Sequence, residues 1–362
     1  MFANAYAGKT VFVTGHTGFK GSWLCLWLQQ LGARVVGYSL PPPTEPALFI
    51  DAAIAAGIEH NIGDVRDAAA LQAALIAARP DFVFHLAAQP LVLDSYRAPD
   101  ETFAINVMGS INLMEAVRCS NTGAAVVMVT TDKVYLNREW AYAYREDDAL
   151  GGYDPYSASK AAMEIAVASW RSSFLSVETP ILMASARAGN VIGGGDWSAN
   201  RLVPDLIRTL AGNEQPQLRN AHSLRPWQHV LEPLAGYLWL GAKLKGPGGQ
   251  RYAEAWNFGP LPTEVKCVGD LATALLAQYG KVGWDQARDL DAPHEAGLLR
   301  LSIDKAVAGL GWRPVWDFAQ TTERTARWYQ AVMSGKRSAR VACEDDVDAY
   351  IADAGALGLP FA

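Results

Sequence analysis

A chain of 362 residues, 50% hydrophobic and 19% charged, is long enough for one large domain or two intimately joined ones around a substantial core. Its formal charge of -6 argues against non-specific binding to nucleic acid, which needs basic surface. No apolar run approaches the about 20 residues a membrane helix requires, and the N-terminus MFANAYAGKTVFVTG lacks a charged-then-apolar signal pattern, so no membrane association and a cytoplasmic location are expected.

Short β-rich runs alternate with longer helical patterns through the first half. TVFVTG, residues 10–15, is a strand that leads directly into GHTGFKG, and a helix then spans SWLCLWLQQLG to Gly32. Gly15, Gly18 and Gly21 permit a tight turn, close approach of backbone to a pyrophosphate, and close helix-strand packing. Thr17, Phe19 and Lys20 complete the turn, with Lys20 either a phosphate contact or a solvated cation. The second strand, ARVVGYSL (33–40), precedes a proline-rich loop, 41–46. A dinucleotide-binding unit usually offers an acid to the ribose about 20 residues past the glycines. Here no acid follows the second strand until Glu45, so NAD against NADP is open on physical grounds.

The third strand is short, around IEHNIGDV, and carries Asp64 and Val65 at its end. A helix follows to about Ala78, then DFVFHLAA (81–88), whose end HLAAQ supplies Leu86, Ala87, Ala88 and Gln89. Asn106 follows in INVMGS. AAVVMVTTD (124–132) forms the fifth strand and ILMASARAGNV (181–191) the sixth. Strands apolar on both faces, alternating with helices, imply an α/β fold: a Rossmann-like, doubly wound parallel sheet covered by helices. Ligands bind at the carboxyl ends of such strands. Gly15, Asp64, Ala87, Thr131 and Asn190 all fall at those ends.

Beyond about residue 195 the alternation breaks down, and Arg, Trp and Pro become frequent. This marks a smaller α/β substrate-binding domain, 191–335, partly interleaved with the dinucleotide-binding domain, 1–190. The tail, 336–362, is charged and then rich in Ala and Gly, and suits an edge helix or a poorly ordered end. Cys25, Cys119, Cys267 and Cys343 are scattered, with no CxxC pair, so reduced thiols and no metal are expected.

Tyr156 and Lys160 in YSASK stand at i and i+4 and project from one helix face. A tyrosine with a pKa near 10 is a poor base at neutral pH, and a nearby cation favours its phenolate. Beside a dinucleotide site the pair serves as a hydride-transfer base. Thr131-Asp132-Lys133 ends a central strand, where a hydroxyl can hydrogen-bond a substrate alcohol. The adjacent carboxyl and amine suggest one proton added and one removed, with the two side chains diverging to reach different substrate atoms.

GHTGFKG, HLAAQP, TTDKVY, GGYDPYSASK, RAGNVIGGGDW and RPWQHVLEP, in order from about Thr10 to Trp316, resemble the extended short-chain dehydrogenase/reductase superfamily and, more narrowly, its CDP-glucose 4,6-dehydratases. Related dehydratases for dTDP- and GDP-sugars carry Glu after the Asp, whereas this chain has Lys133, as the CDP-glucose branch does. The resemblance implies NAD as cofactor and CDP-glucose as substrate. Tyr156, assisted by Thr131, would take the C4 hydroxyl proton as hydride leaves C4. Lys133 would remove the C5 proton, Asp132 would protonate the departing C6 hydroxyl, and hydride would return to C6. It also implies that Asn190 contacts the diphosphate. The two phosphates of such a substrate call for cations, which Arg201, Arg219 and Arg225, with Trp227 and His229 beyond them, can supply while framing a base; Gln89 is a further substrate candidate, and His294 and Glu295 match the family pattern with weaker grounds for contact. Helices after the fourth and fifth strands commonly pair between subunits in this superfamily, so a homodimer or homotetramer is expected. Met108, Leu113, Met114, Met163 and Trp170 suit such a seam or the core equally. Three other readings stand beside this one, the first a dehydratase acting on another NDP-hexose. A nucleotide-sugar 4-epimerase needs Tyr156 and Lys160 but no acid-base pair at 132 and 133, and a non-catalytic dinucleotide sensor needs none of the four.

Overall fold

In the computed structural model, residues 1–120, 122–175, 180–286 and 297–362 are described. β1 (Thr10–Thr14) is followed by α1 (Phe19–Gln30), β2 (Arg34–Ser39), β3 (Glu59–Ile62), α2 (Ala68–Ala78), β4 (Phe82–His85) and α3 (Gly109–Ser120). β5 (Ala125–Val129), α4 (Pro155–Ser173) and β6 (Leu182–Ala188) continue the alternation. Each matches a run expected from the sequence, with ends trimmed by one to several residues.

The seventh strand was not expected. α5 (Leu202–Ala211) and α6 (Leu231–Lys245) precede β7 (Ala255–Phe258), which returns to the main sheet and pairs in parallel with β6. All seven strands are parallel, in the order β7-β6-β5-β4-β1-β2-β3. α6 lies on β5 and β6, so the second half of the chain supplies both a strand and a covering helix to the first. Its remaining strands are two-residue pairs, such as Val191–Ile192 with Gln228–His229.

The tail is ordered helix. α7 (Phe318–Met333) packs on α8 (Ala339–Ala356), and α8 also packs on α1. Phe361 stacks on Phe2 with ring centroids 6.1 Å apart, tying the two ends of the chain together.

Two apolar clusters cover the two faces of the sheet. One joins β1 and β5 side chains to α1, α6, α7 and α8. The other packs Phe12, Val36, Val83 and Val126 under α2, α3 and α4. Leu113, Met114 and Met163 are fully enclosed in the second cluster, so these three are core rather than seam. Trp170 donates its ring N–H to Glu115 at 2.7 Å, and Met108 is half exposed. No helix of the described residues is long and apolar enough to cross a membrane, and no group of His, Cys, Asp or Glu among them is placed to hold a metal.

In this strand order the chain reverses direction across the sheet between β1 and β4, which opens a crevice at their carboxyl ends. A cavity of about 1240 Å³ occupies that crevice.

Candidate active site

The glycine turn forms the floor at one end. Gly15 has φ +72, and a Cβ there would lie 2.6 Å from the Ala87 backbone nitrogen. A Cβ on Gly21 would sit 2.1 Å from the Gly15 carbonyl oxygen, so α1 can approach β1 this closely only without a side chain at Gly21. Gly18 differs: its Cβ position is open, with nothing nearer than 3.5 Å. Gly18 also caps α1 with no side-chain acceptor, and no acid occupies the first turn. The free N–H groups at that helix start therefore face the cavity with room for an anion. This fits a dinucleotide pyrophosphate.

The walls come from strand ends. Thr17, Phe19, Lys20, Asp64, Val65, Leu86, Ala87 and Ala88 all line the cavity. Thr17 bonds to the Ser39 hydroxyl and the Leu40 carbonyl, both at 2.9 Å, closing the end of β2 where an acid was missing. The loop beyond folds back so that Glu45 enters the cavity wall. Asp64 is held by Arg66 at 2.6 Å, which keeps its carboxyl below the usual range.

Two sequence candidates stand behind the wall. Asn106 is fully buried in a π-helical turn, accepting from the Gln89 amide at 2.9 Å and donating to the Gln89 carbonyl at 3.1 Å and to Ser159 at 2.9 Å. The Gln89 side chain is spent locally, on Thr102 at 2.9 Å and the Leu91 amide at 2.5 Å. Neither lines the cavity; together they fix α4 against the end of β4.

α4 starts where the sequence dictates. Asp154 accepts from the Ser157 amide at 2.9 Å and hydroxyl at 2.6 Å, and Pro155 fills the first helical position. Gly152 lets the incoming chain press on this turn, since a Cβ there would lie 2.1 Å from the Ala158 nitrogen. Tyr156 and Lys160 are thereby delivered to the cavity from one helix face. Burial pushes the Tyr156 phenol up to about 12, opposed by hydrogen bonding from Thr131. Burial also lowers Lys160 to about 8, with Glu164 as the counterweight. Lys160 donates to the Val129 carbonyl at 3.3 Å.

Thr131, Asp132 and Lys133 turn off the end of β5 into the same cavity. The Thr131 hydroxyl donates to Asp132 Oδ1 at 3.3 Å. Asp132 is 1% exposed, and its Oδ2 has no partner among the described residues. Lys133 Nζ stands 3.8 Å from Asp132 Oδ1, so the two side chains converge as a loose ion pair instead of diverging. The short helical turn Asp132–Val134 carries both residues.

Lys20 is not a solvated lysine. Its ammonium lies 5.8 Å over the Tyr237 ring. Burial, then Arg201, lowers it to about 7, against the pull of Asp132. It thus reaches from the glycine turn toward the catalytic candidates, a placement sequence spacing gave no means of seeing.

At the far end, Asn190, Arg201, Arg219, Arg225 and Trp227 line the cavity. Arg201 precedes α5 and pairs with Asp196 at 2.9 Å. His229 does not belong here. It is fully buried between Trp23 and Trp316, with ring centroids 5.9 and 4.8 Å away. Its Nδ1 accepts from the Leu231 amide at 3.3 Å, and burial lowers its pKa to about 3. A neutral ring packed in the core behind the Gly193–Gly195 loop has no path to a ligand. His294 and Glu295 lie outside the described residues.

Residues 12–325 match the family described as GDP-mannose 4,6 dehydratase. The chain is 45% identical over 340 residues to a CDP-glucose 4,6-dehydratase of Salmonella typhimurium, covering 92% of this chain and 94% of that one. A dTDP-glucose 4,6-dehydratase of Streptomyces antibioticus is 30% identical over 334 residues, 88% of this chain and 92% of its own. Among solved structures, a UDP-glucose 4-epimerase of Thermotoga maritima with UDP-glucose superposes with a TM-score of 0.77 at 20% identity, over 90% of this chain and 99% of that one. The dTDP-glucose 4,6-dehydratase DesIV of Streptomyces venezuelae, with NAD and TYD bound, gives 0.74 at 23%, over 90% and 98%. At such identities these two likenesses establish the fold alone.

Proposed function

We propose a reaction for a chain that belongs to the GDP-mannose 4,6 dehydratase family: dehydration of CDP-D-glucose to CDP-4-keto-6-deoxy-D-glucose, with NAD as cofactor. The substrate follows the 45% identical relative. The observation that carries the chemistry is that Asp132 and Lys133 open on the same cavity as Tyr156 and Lys160. An epimerase has work for the second pair only.

NAD would supply there a hydride acceptor for C4 and, once reduced, a hydride donor for C6. The glycine turn, Asp64, Val65 and the Leu86–Ala88 wall would hold it. Tyr156 takes the C4 hydroxyl proton as phenolate, and the Thr131 hydroxyl steadies the same oxygen. With its pKa raised to about 12, the phenol is almost wholly protonated at neutral pH, so a charged Lys160 one helical turn away is part of the requirement. Once C4 is a ketone, the C5 proton is acidic; Lys133, as its neutral amine, removes it and gives it back to C5 when hydride reaches C6. Asp132, in its protonated form and with a buried Oδ2 that has no partner among the described residues, protonates the departing C6 hydroxyl. Asn190, Arg201, Arg219 and Arg225 supply donors and cations for the CDP diphosphate. On this reading residues 1–190 form the dinucleotide end and 191–335, joined by Asn190, the sugar-nucleotide end.

A cytoplasmic homodimer or homotetramer that feeds deoxysugars into surface glycans such as O-antigen belongs to this reading. The exposed apolar side chains of Phe103, Met108 and Ile165 support the assembly. The test is the mass of CDP-glucose after incubation with the protein and NAD. Loss of one water without net reduced NAD supports the dehydratase. An unchanged mass with altered configuration at C4 supports an epimerase, and unaltered CDP-glucose overturns the substrate assignment.

A further inference from the structure

Tyr156, Lys160 and Glu164 follow one another at i, i+4 and i+8 along one face of α4. The proposed chemistry uses the first two. Glu164 is 1% exposed and stands behind Lys160, outside the cavity lining. It accepts from the Thr130 hydroxyl at 2.5 Å, the Ser185 hydroxyl at 2.7 Å and Arg187 Nη2 at 3.0 Å. Arg187 donates in turn to the Tyr135 hydroxyl at 2.8 Å and the Glu146 carbonyl at 3.0 Å, and Tyr135 donates to Asn257 Oδ1 at 2.7 Å. This anchors the pair to β5, β6 and β7 at once.

A buried ion pair seldom stabilises a fold more than apolar side chains of the same volume would. This one lies one helical turn from an ammonium with weak support of its own: a carbonyl at 3.3 Å and a sulfur, Met163 Sδ, at 3.7 Å. We propose that Glu164, held by Arg187, Thr130 and Ser185, is a positioning residue that keeps Lys160 an ammonium under Tyr156. The inference rests on the reaction proposed above.

The surrounding charges agree. Burial alone would raise Glu164, but Arg187 and the two hydroxyls outweigh it and hold the carboxyl below its ordinary value, so it stays ionised. The other groups facing this region are Tyr156 and Arg171 on α4, Lys20 on α1, His85 on β4, Asp132 beyond β5 and Arg187 on β6. His85 is kept neutral by burial, at about 3, with its ring nitrogens bonded to Thr14 at 2.7 Å and Ser110 at 2.9 Å. Arg171 and Arg187 are cationic, and Lys20 and Lys160 each oppose the other's charge. Glu164 is the carboxylate whose charge bears on it.

Glu164→Gln keeps the shape and removes the charge, leaving Arg187 unneutralised; both changes lower Lys160. Arg187→Gln leaves the carboxylate unshared, which raises Lys160. The expected result is opposite displacement of the alkaline limb of CDP-glucose turnover: down by about one to two pH units for Glu164→Gln, and upward for Arg187→Gln. A nuclear magnetic resonance titration of isotope-labelled lysine in the NAD-free protein, with Lys160 assigned by Lys160→Met, must move the same way. Equal flat losses at every pH with an unmoved Lys160 titration would make the pair merely structural and overturn the inference. Wild-type protein inert toward CDP-glucose would instead sink the reaction, while the titration would still judge the inference. If neither variant folds, the wild-type titration decides: a Lys160 already neutral at pH 7 overturns the inference, and an ammonium there upholds it.

Discussion

Asp132→Asn separates the two halves of the proposed reaction. The side chain is 1% exposed, and Asn fills the same volume. What the fold loses is small. Lys133 lies 3.8 Å away and is 29% exposed, so their loose ion pair is worth at most about 1 kcal/mol. What the chemistry loses is larger. A positioned general acid contributes about 10²- to 10⁴-fold, or roughly 3 to 5.5 kcal/mol of barrier. The catalytic loss therefore exceeds the structural one by several-fold and is confined to elimination, because Tyr156 and Lys160 are untouched. The assay mixes variant, NAD and CDP-glucose in a stopped-flow instrument, follows nicotinamide absorbance, and quenches aliquots for mass spectrometry. Nicotinamide reduction should proceed within a few-fold of wild type while water loss falls by about two to four orders of magnitude. Equal loss in both phases, or water loss within tenfold of wild type, would refute the assignment of Asp132.

Gly21→Ala should abolish NAD binding measured by calorimetry, because the new Cβ would meet the Gly15 carbonyl oxygen at 2.1 Å and force α1 away from the turn; retained affinity would mean the turn is not the pyrophosphate site. Glu232 on α6 is fully buried, accepting from the Trp316 amide at 2.7 Å and the Tyr350 hydroxyl at 2.8 Å. Burial nevertheless raises it to about 7, from about 4.3 when unfolded. A raised folded pKa means its contribution is fully present below about pH 4 and lost as pH rises through 7, a difference of about 3 kcal/mol. Denaturant unfolding at pH 4 and pH 8 should show a shallower pH dependence in Glu232→Gln than in wild type, with the similarly raised Asp346 common to both; identical profiles would remove Glu232 from the account. His229→Asn should lower the unfolding midpoint and leave KM for CDP-glucose within about threefold, since the ring is core; a selective rise in KM would return it to the substrate site.

Six of the seven strands were legible because each apolar run stood between turn residues and a helical pattern. β7 was not, since AWNF offers four residues and no alternation, and it reaches the sheet only because α6 provides the crossover from β6. That Thr131, Asp132, Lys133, Tyr156 and Lys160, the proposed catalytic quintet, line one cavity could be read from spacing and strand-end position, which determine what faces the crevice. Side-chain direction could not. That is why Asp132 and Lys133 converge against expectation, and why His229, in a motif that otherwise borders the cavity, turns into the aromatic core. Glu164 was findable: a glutamate one turn beyond Lys160, on the face that Tyr156 and Lys160 share, is a visible anomaly. Glu45 is only a late acid in the sequence, because nothing in a proline-rich loop shows that it folds back on the cavity wall.

The central claim is internal redox, in which one hydride leaves C4 and returns at C6 of the same sugar. The direct measurement is turnover of CDP-glucose deuterated at C4, with NAD, analysed by mass spectrometry and nuclear magnetic resonance. A product lighter by one water, with deuterium in its C6 methyl group and no net reduced NAD, is the predicted result. Deuterium washed out to solvent, left at C4, or accumulating in free reduced NAD would contradict it.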